Sequence, residues 1–210
     1  LAQALAMLGS PTAVPVLLEE IEGCLAAVPG LPKRRDDFMY VQLPPDHGAM
    51  PDLAYLLHSL ALTADPRSMG VWEAVADRLH PEAEDFKDML ACTFYYVQAV
   101  CLGAERLGSP AMLPTLRKLR GIRALRGLAC REGLQPDYFE ERRAMLELMI
   151  GRAMARCGEP EGYRILISYL EDVRALLSEH AHAELTSISE LDFGKNPDAW
   201  SDWLKGAAAN

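Results

Sequence analysis

The residues in this sequence that look most like metal ligands are His180 and His182, flanked by Glu179 and Glu184. On a helix, at about 100° per residue, His180 and His182 point about 200° apart, so both imidazoles cannot reach one ion. His180 with Glu184 forms an i,i+4 pair, but two ligands are too few for zinc. Solvated helix surface is the plainer reading, and no metal site is expected. His47 lies beside Asp46 and Gly48, with Tyr40 upstream, yet neighbours in sequence do not supply the geometry of an Asp–His dyad, so it reads as loop surface.

The five cysteines, Cys24, Cys92, Cys101, Cys130 and Cys157, are odd in number and follow no metal-like spacing. None stands in a Cys-x-x-Cys pair or beside a histidine, which leaves no activated nucleophile. Cys92 and Cys101, nine residues apart on one expected helix, face opposite sides. They read as small apolar helix residues in a reducing compartment, which places the chain in the cytoplasm. Phosphate cradles fail as well. There is no Gly-x-Gly-x-x-Gly, no Gly-Lys-[Ser/Thr], and no alternating strand to precede one, so no catalytic residue and no cofactor is expected within these residues.

One cluster stands out. Between Arg117 and Arg131 lie six cations, Arg117, Lys118, Arg120, Arg123, Arg126 and Arg131, with no acid among them, in a chain of net charge −9. Arg120, Arg123 and Arg126 recur every three residues, interleaved with Ile122, Leu125 and Leu128. In a helical turn the arginines form one stripe beside a docked apolar row. Such a stripe either neutralises acids elsewhere in the fold or presents guanidinium forks to the carboxylates of a partner. Arg117, Lys118, Arg120, Arg123 and Arg126 are therefore the candidate docking residues, for a protein partner or for an upstream domain of the same chain.

The elements that position these groups repeat. A short device, in which an apolar helix ends in a small residue, a polar residue and a proline, occurs at Leu8-Gly9-Ser10-Pro11, Thr63-Ala64-Asp65-Pro66, Leu107-Gly108-Ser109-Pro110 and Cys157-Gly158-Glu159-Pro160. The prolines are spaced by 55, 44 and 50 residues, close to a two-helix unit with its connection. Glycine takes the left-handed conformation that closes a helix without a Cβ penalty. Ser10, Asp65 and Ser109 are expected N-caps, and proline at the first helical position loses an amide that had no partner. Glu159 is a poor cap, although its charge suits a helix N-terminus. Flanking residues repeat too: Val14-Pro15-x-Leu17-Leu18 matches Leu113-Pro114-x-Leu116 and, more loosely, Tyr163-Arg164-x-Leu166-Ile167.

At these residues, above all in "ALAMLGSPTAVPVLLEEI" and "GAERLGSPAMLPTLRKL", the sequence resembles HEAT-like repeats of the phycobilisome-lyase type. The resemblance implies an α/α superhelix, the HEAT/armadillo-like solenoid, of about four helical hairpins. Such repeats serve as scaffolds, partner-binding surfaces and enzyme appendages alike. The stretch "LDFGKNPDAWSDWL" looks like the tail that closes bacterial HEAT-like arrays, with Trp200 and Trp203 as a terminal cap. The order of the whole chain also resembles the C-terminal helical region of some bacterial FAD-dependent oxidoreductases, which implies a flavin domain upstream of Leu1. A self-contained lyase like some HEAT-repeat bilin lyases shares only the repeats.

Period-3.6 patterning predicts helices at 1–8 and 11–27, a Pro-rich connection at 28–50 carrying Lys33-Arg34-Arg35-Asp36-Asp37, and helices from Pro51 to Leu62 and Pro66 to Leu79. One long helix is expected from Ala83 to Leu107, a short one at 110–119, and an Arg-rich connection at 120–135. Helices at 136–157, 160–171 and 173–190, a turn at Asp192–Pro197 and a closing helical turn follow. All 210 residues read as one domain, and a start at Leu1 in apparent mid-helix reads as a fragment of a longer chain. With 30 acids against 21 cations, bulk nucleic-acid binding is excluded, and no 18-residue apolar run exists to span a bilayer. A non-catalytic scaffold or protein-interaction module is the function expected, with the C-terminal domain of a flavoenzyme as the alternative.

Overall fold

Three of the four proline devices fall where the backbone is described, and in all three the residue two before proline is left-handed: Ala64 at φ 50°, Gly108 at φ 56° and Gly158 at φ 86°. The next residue then closes or caps. Asp65 accepts from the Arg67 amide at 2.9 Å and Ser109 from the Ala111 amide at 3.3 Å. Pro66 and Pro110 each open a single 3₁₀ turn, Pro66–Ser68 and Pro110–Met112, that runs on into an α-helix. At Gly158 the amides of Gly158 and Glu159 donate back to Ala155 and Met154, which satisfies carbonyls the ended helix would leave open. Ser10 departs from this pattern. Its hydroxyl meets that of Thr12 at 2.8 Å and caps no amide.

The computed structural model describes residues 10–32, 52–88, 92–133 and 137–207. Residues 1–9, the cation-rich run at 33–37, Tyr40, His47 and Pro136 lie outside them. Every regular element among the described residues is helical, and none is long and apolar enough to cross a membrane. The chain divides into two compact units, Leu1–Leu107 and Gly108–Asn210.

The first unit holds α1 (Ala13–Ala27), α2 (Asp52–Leu62), α3 (Met69–Ala76) and α4 (Thr93–Leu107). Val14, Leu17, Ile21 and Leu25 form the buried face of α1, as their spacing requires. α4 packs on α2 and on α3. Its approach to α3 depends on Gly103, where a Cβ would lie 2.3 Å from the Trp72 ring. That ring is fully buried, and its Nε1 donates to Ser68 in the Pro66 turn at 2.9 Å, so it has no room to yield.

The long helix expected from Ala83 to Leu107 is not formed. A 3₁₀ turn, Ala83–Phe86, closed by a reciprocal Glu82–Asp85 capping box, precedes α4, and Cys92 stands at φ 55° just ahead of it. Cys92 and Cys101 therefore do not share a helix. The helix expected from Pro66 to Leu79 is likewise shorter, because the 3₁₀ turn takes its start and α3 ends at Ala76.

The second unit holds α5 (Leu113–Gly121), a 3₁₀ turn at Arg123–Leu125, α6 (Tyr138–Arg156), α7 (Pro160–Ser168), α8 (Ala175–Ser189) and α9 (Pro197–Ala207). The N-cap of α6 is Asp137, which accepts from the Phe139 and Glu140 amides at 2.8 and 3.0 Å. α7 lies across α6 at backbone contact: a Cβ on Gly162 would be 2.3 Å from the Ala155 nitrogen and 2.5 Å from the Gly151 carbonyl. α9 covers α7 through Trp200, fully buried, whose Nε1 donates to the Gly194 carbonyl at 2.7 Å. Trp203 continues the aromatic contact onto Tyr163, with ring centroids 5.6 Å apart.

The left-handed junctions predict opposite responses to substitution. Gly108→Val lowers stability by roughly 1–2 kcal/mol through the left-handed penalty on a branched residue. Ala64→Gly raises it by up to about 1 kcal/mol, the relief of that penalty less the greater freedom of glycine in the unfolded chain. Denaturant midpoints check both, and an Ala64→Gly variant less stable than wild type contradicts the assignment. Gly162→Ala, which drives a methyl into backbone, costs at least about 3 kcal/mol, the upper end of overpacking.

Candidate functional site

The Arg-rich segment is organised by two buried carboxylates. Glu147, on the α6 face toward α5, has a side chain only 4% exposed. Its Oε1 accepts from Arg120 Nη1 at 2.9 Å and from the Gly127 amide at 2.7 Å, while Oε2 accepts from the Leu128 amide at 2.7 Å and the Tyr169 hydroxyl at 2.8 Å. Four donors saturate the carboxylate, so it positions its neighbours and has no lone pair to offer a substrate. Burial, and then the charge of Glu147 beside it, push the Tyr169 hydroxyl far up, which keeps it protonated and donating.

Asp172, between α7 and α8, does the same for the residues that follow. Its side chain is fully buried, and it accepts from the Cys130 amide at 2.8 Å, the Arg174 amide at 2.9 Å and the Arg174 guanidinium at 2.7 Å. Arg174 Nη2 reaches on to the Leu128 carbonyl, and the Val173 amide donates to the Cys130 carbonyl at 2.8 Å. The stretch from Arg126 to Cys130 is thus held largely by side chains, with the Val173–Cys130 backbone bond beside them. Burial alone would raise the Asp172 carboxyl, but the Arg174 guanidinium and the two amides outweigh it and hold the group below the usual range.

The structure places the five candidate docking residues in different situations. Arg120 is 21% exposed and bridges Glu147 and Glu161, the latter at 2.8 Å. Arg126 is exposed, and its Nε donates to the Arg120 carbonyl near the C-terminus of α5. Arg117 pairs with Glu159 yet stays 60% exposed. Lys118 and Arg123 are exposed, and the Arg123 side chain has no partner among the described residues. Arg120, Arg123 and Arg126 therefore share no single stripe, because the backbone turns out of helix after Gly121.

Chemistry elsewhere is sparse. His182 bonds Asp192 at 2.9 Å, His180 is exposed, and among the described residues no group of three or more His, Cys, Asp or Glu is placed to hold a metal. Burial pushes the Cys157 thiol up to about 11, far from a nucleophile's range. No protein-family model, curated protein or solved structure matches the chain.

Glu147, Tyr169 and Asp172 were missed as organising residues. The signal for Glu147 was there: a lone acid between Leu146 and Leu148-Met149-Ile150 sits in a run with no solvent face. Asp172→Asn keeps the shape and removes the charge opposite a buried guanidinium, so it should cost about 3 kcal/mol near neutral pH. A depressed carboxylate contributes stability above its unfolded value, near 3.9, and loses it as the pH falls through the lower folded value. The gap between wild type and Asp172→Asn should therefore narrow below about pH 4, as read by denaturation at stepped pH. A gap that stays constant down to pH 2 contradicts the assignment.

Proposed function

We propose that the chain is a non-catalytic helical-repeat interaction module of HEAT-like type, an α/α superhelix of about four hairpins, that docks an acidic protein segment. The recurrence of one junction, a left-handed residue followed by a closing residue and a proline-started helix at Ala64, Gly108 and Gly158, carries this reading. Repeated junctions of one geometry are how stacked hairpins are generated. Saturated carboxylates and a thiol displaced upward, away from reactivity, support a role in contact over one in turnover.

The docking set is Arg117, Lys118, Arg123 and Arg126. Arg120 stands apart because Glu147 and Glu161 already take its guanidinium. An acidic protein segment fits better than a duplex, since a net charge of −9 opposes the many phosphate contacts a duplex needs. Titration with a fluorescein-labelled oligoglutamate peptide tests the proposal. Anisotropy should report binding that weakens between about 0.1 and 1 M salt, where the screening length falls from about 10 to about 3 Å. Reversing Arg117, Lys118 and Arg123 to Glu should abolish it with little loss of stability, because exposed pairs contribute at most about 1 kcal/mol each. Binding that survives this reversal, or no binding at low salt, overturns the proposal.

A further inference from the structure

The first unit carries a cleft of about 210 Å³ that the docking reading does not use. Leu79, Pro81 and the Tyr96 ring pack behind it, the ring fully buried and fixed by a hydroxyl bond to the Pro32 carbonyl. Two opposite charges, Arg78 and Asp85, also line it. Arg78 donates through Nη1 to the Ala74 carbonyl at 2.7 Å, which orients the guanidinium, while its buried Nε has no acceptor. Asp85 accepts from the Glu82 amide through Oδ2 at 2.8 Å, and Oδ1 is left without a donor among the described residues.

A guanidinium and a carboxylate on the walls of one small cleft ordinarily close on each other, because the fork geometry is strong. These two do not, and no nitrogen of Arg78 comes within 4.0 Å of an Asp85 oxygen. Each keeps unused hydrogen-bonding capacity, of opposite sign, on the walls of the same space. A simple anion there would face Asp85, and a simple amine would face Arg78. A molecule carrying both charges satisfies both walls. The volume lies below the ~300–1,000 Å³ of drug-sized sites, which limits the occupant to a small molecule. We propose that this cleft binds a free α-amino acid, with its carboxylate on the Arg78 guanidinium and its ammonium on Asp85 Oδ1. The Thr93 hydroxyl, also on the wall, is a further donor for the carboxylate.

Thermal-shift screening of the whole chain with the common L-amino acids, followed by calorimetry, tests this. At least one amino acid should bind at about 10 mM or below. Its two half-charged counterparts, for L-leucine 3-methylbutylamine and 4-methylpentanoate, should each bind at least about tenfold more weakly. Arg78→Gln and Asp85→Asn should each weaken binding by about the same factor, with helical content preserved. Asp85→Asn retains an acceptor for the Glu82 amide, so it remains informative should Arg78→Gln fail to fold. Failure of every amino acid to bind, equal affinity for a half-charged counterpart, or undiminished binding by folded Asp85→Asn overturns the proposal.

Discussion

A carboxylate removed from water must be given donors, and Glu147 imposes that requirement on the whole of the second unit. An unpaired buried charge costs several kcal/mol, so the residues around it are arranged to answer it. Arg120 supplies the counter-charge, Tyr169 a hydroxyl, and the Gly127 and Leu128 amides a backbone pair. The Gly127 and Leu128 amides are free to converge on the carboxylate because the chain has left the helix there, and the left-handed φ of 65° at Gly127 provides the bend. The break after α5, the position of the Arg-rich segment and the contact of α6 with the end of α7 all follow from this one group.

Helix packing in both units depends on a second constraint, the absence of a side chain at close crossings. Gly103 admits the Trp72 ring to α4, and Gly162 brings α7 onto the backbone of α6. The two contacts differ in kind. In the first unit a large ring fills the space and is anchored to the proline turn through Ser68. In the second, backbone meets backbone, and the aromatic mass lies outside it, where Tyr163, Trp203, Trp200 and Phe193 touch edge to face.

What the sequence made legible was whatever local physics decides. The junction at Gly108 could be read from four residues, since left-handed glycine, hydroxyl cap and proline each act within one turn. The apolar face of α1 could be read from periodicity alone. Ala64 was legible only by analogy with its glycine counterparts, because alanine itself does not favour positive φ. The break at Cys92 was hidden for the converse reason. Nothing in the apolar run around it signals a left-handed residue, and the capping box at Glu82 and Asp85 lies within a stretch of good helix formers. Partners distant in sequence were out of reach. Arg120 and Glu161 are 41 positions apart, and Cys130 and Asp172 are 42 apart, so no window of local pattern contains both.

The arginine cluster shows how composition and geometry diverge. Counted along the chain, its cations looked like a uniform surface feature of period three. In the fold they are sorted by what lies opposite: Arg120 goes inward to Glu147 and Glu161, Arg126 turns back on the α5 terminus, Arg131 meets Glu171 at 3.1 Å, and Arg117 meets Glu159 while keeping most of its surface. Glu159 itself, a poor helix cap by type, is explained by that pairing rather than by the helix it precedes. Internal pairing therefore decides how much of a charge run remains for other molecules. The same logic, applied to the first unit, gives weight to Arg78 and Asp85. They are opposite charges that line one cleft without meeting, and each keeps hydrogen-bonding capacity that a molecule of both charges would use.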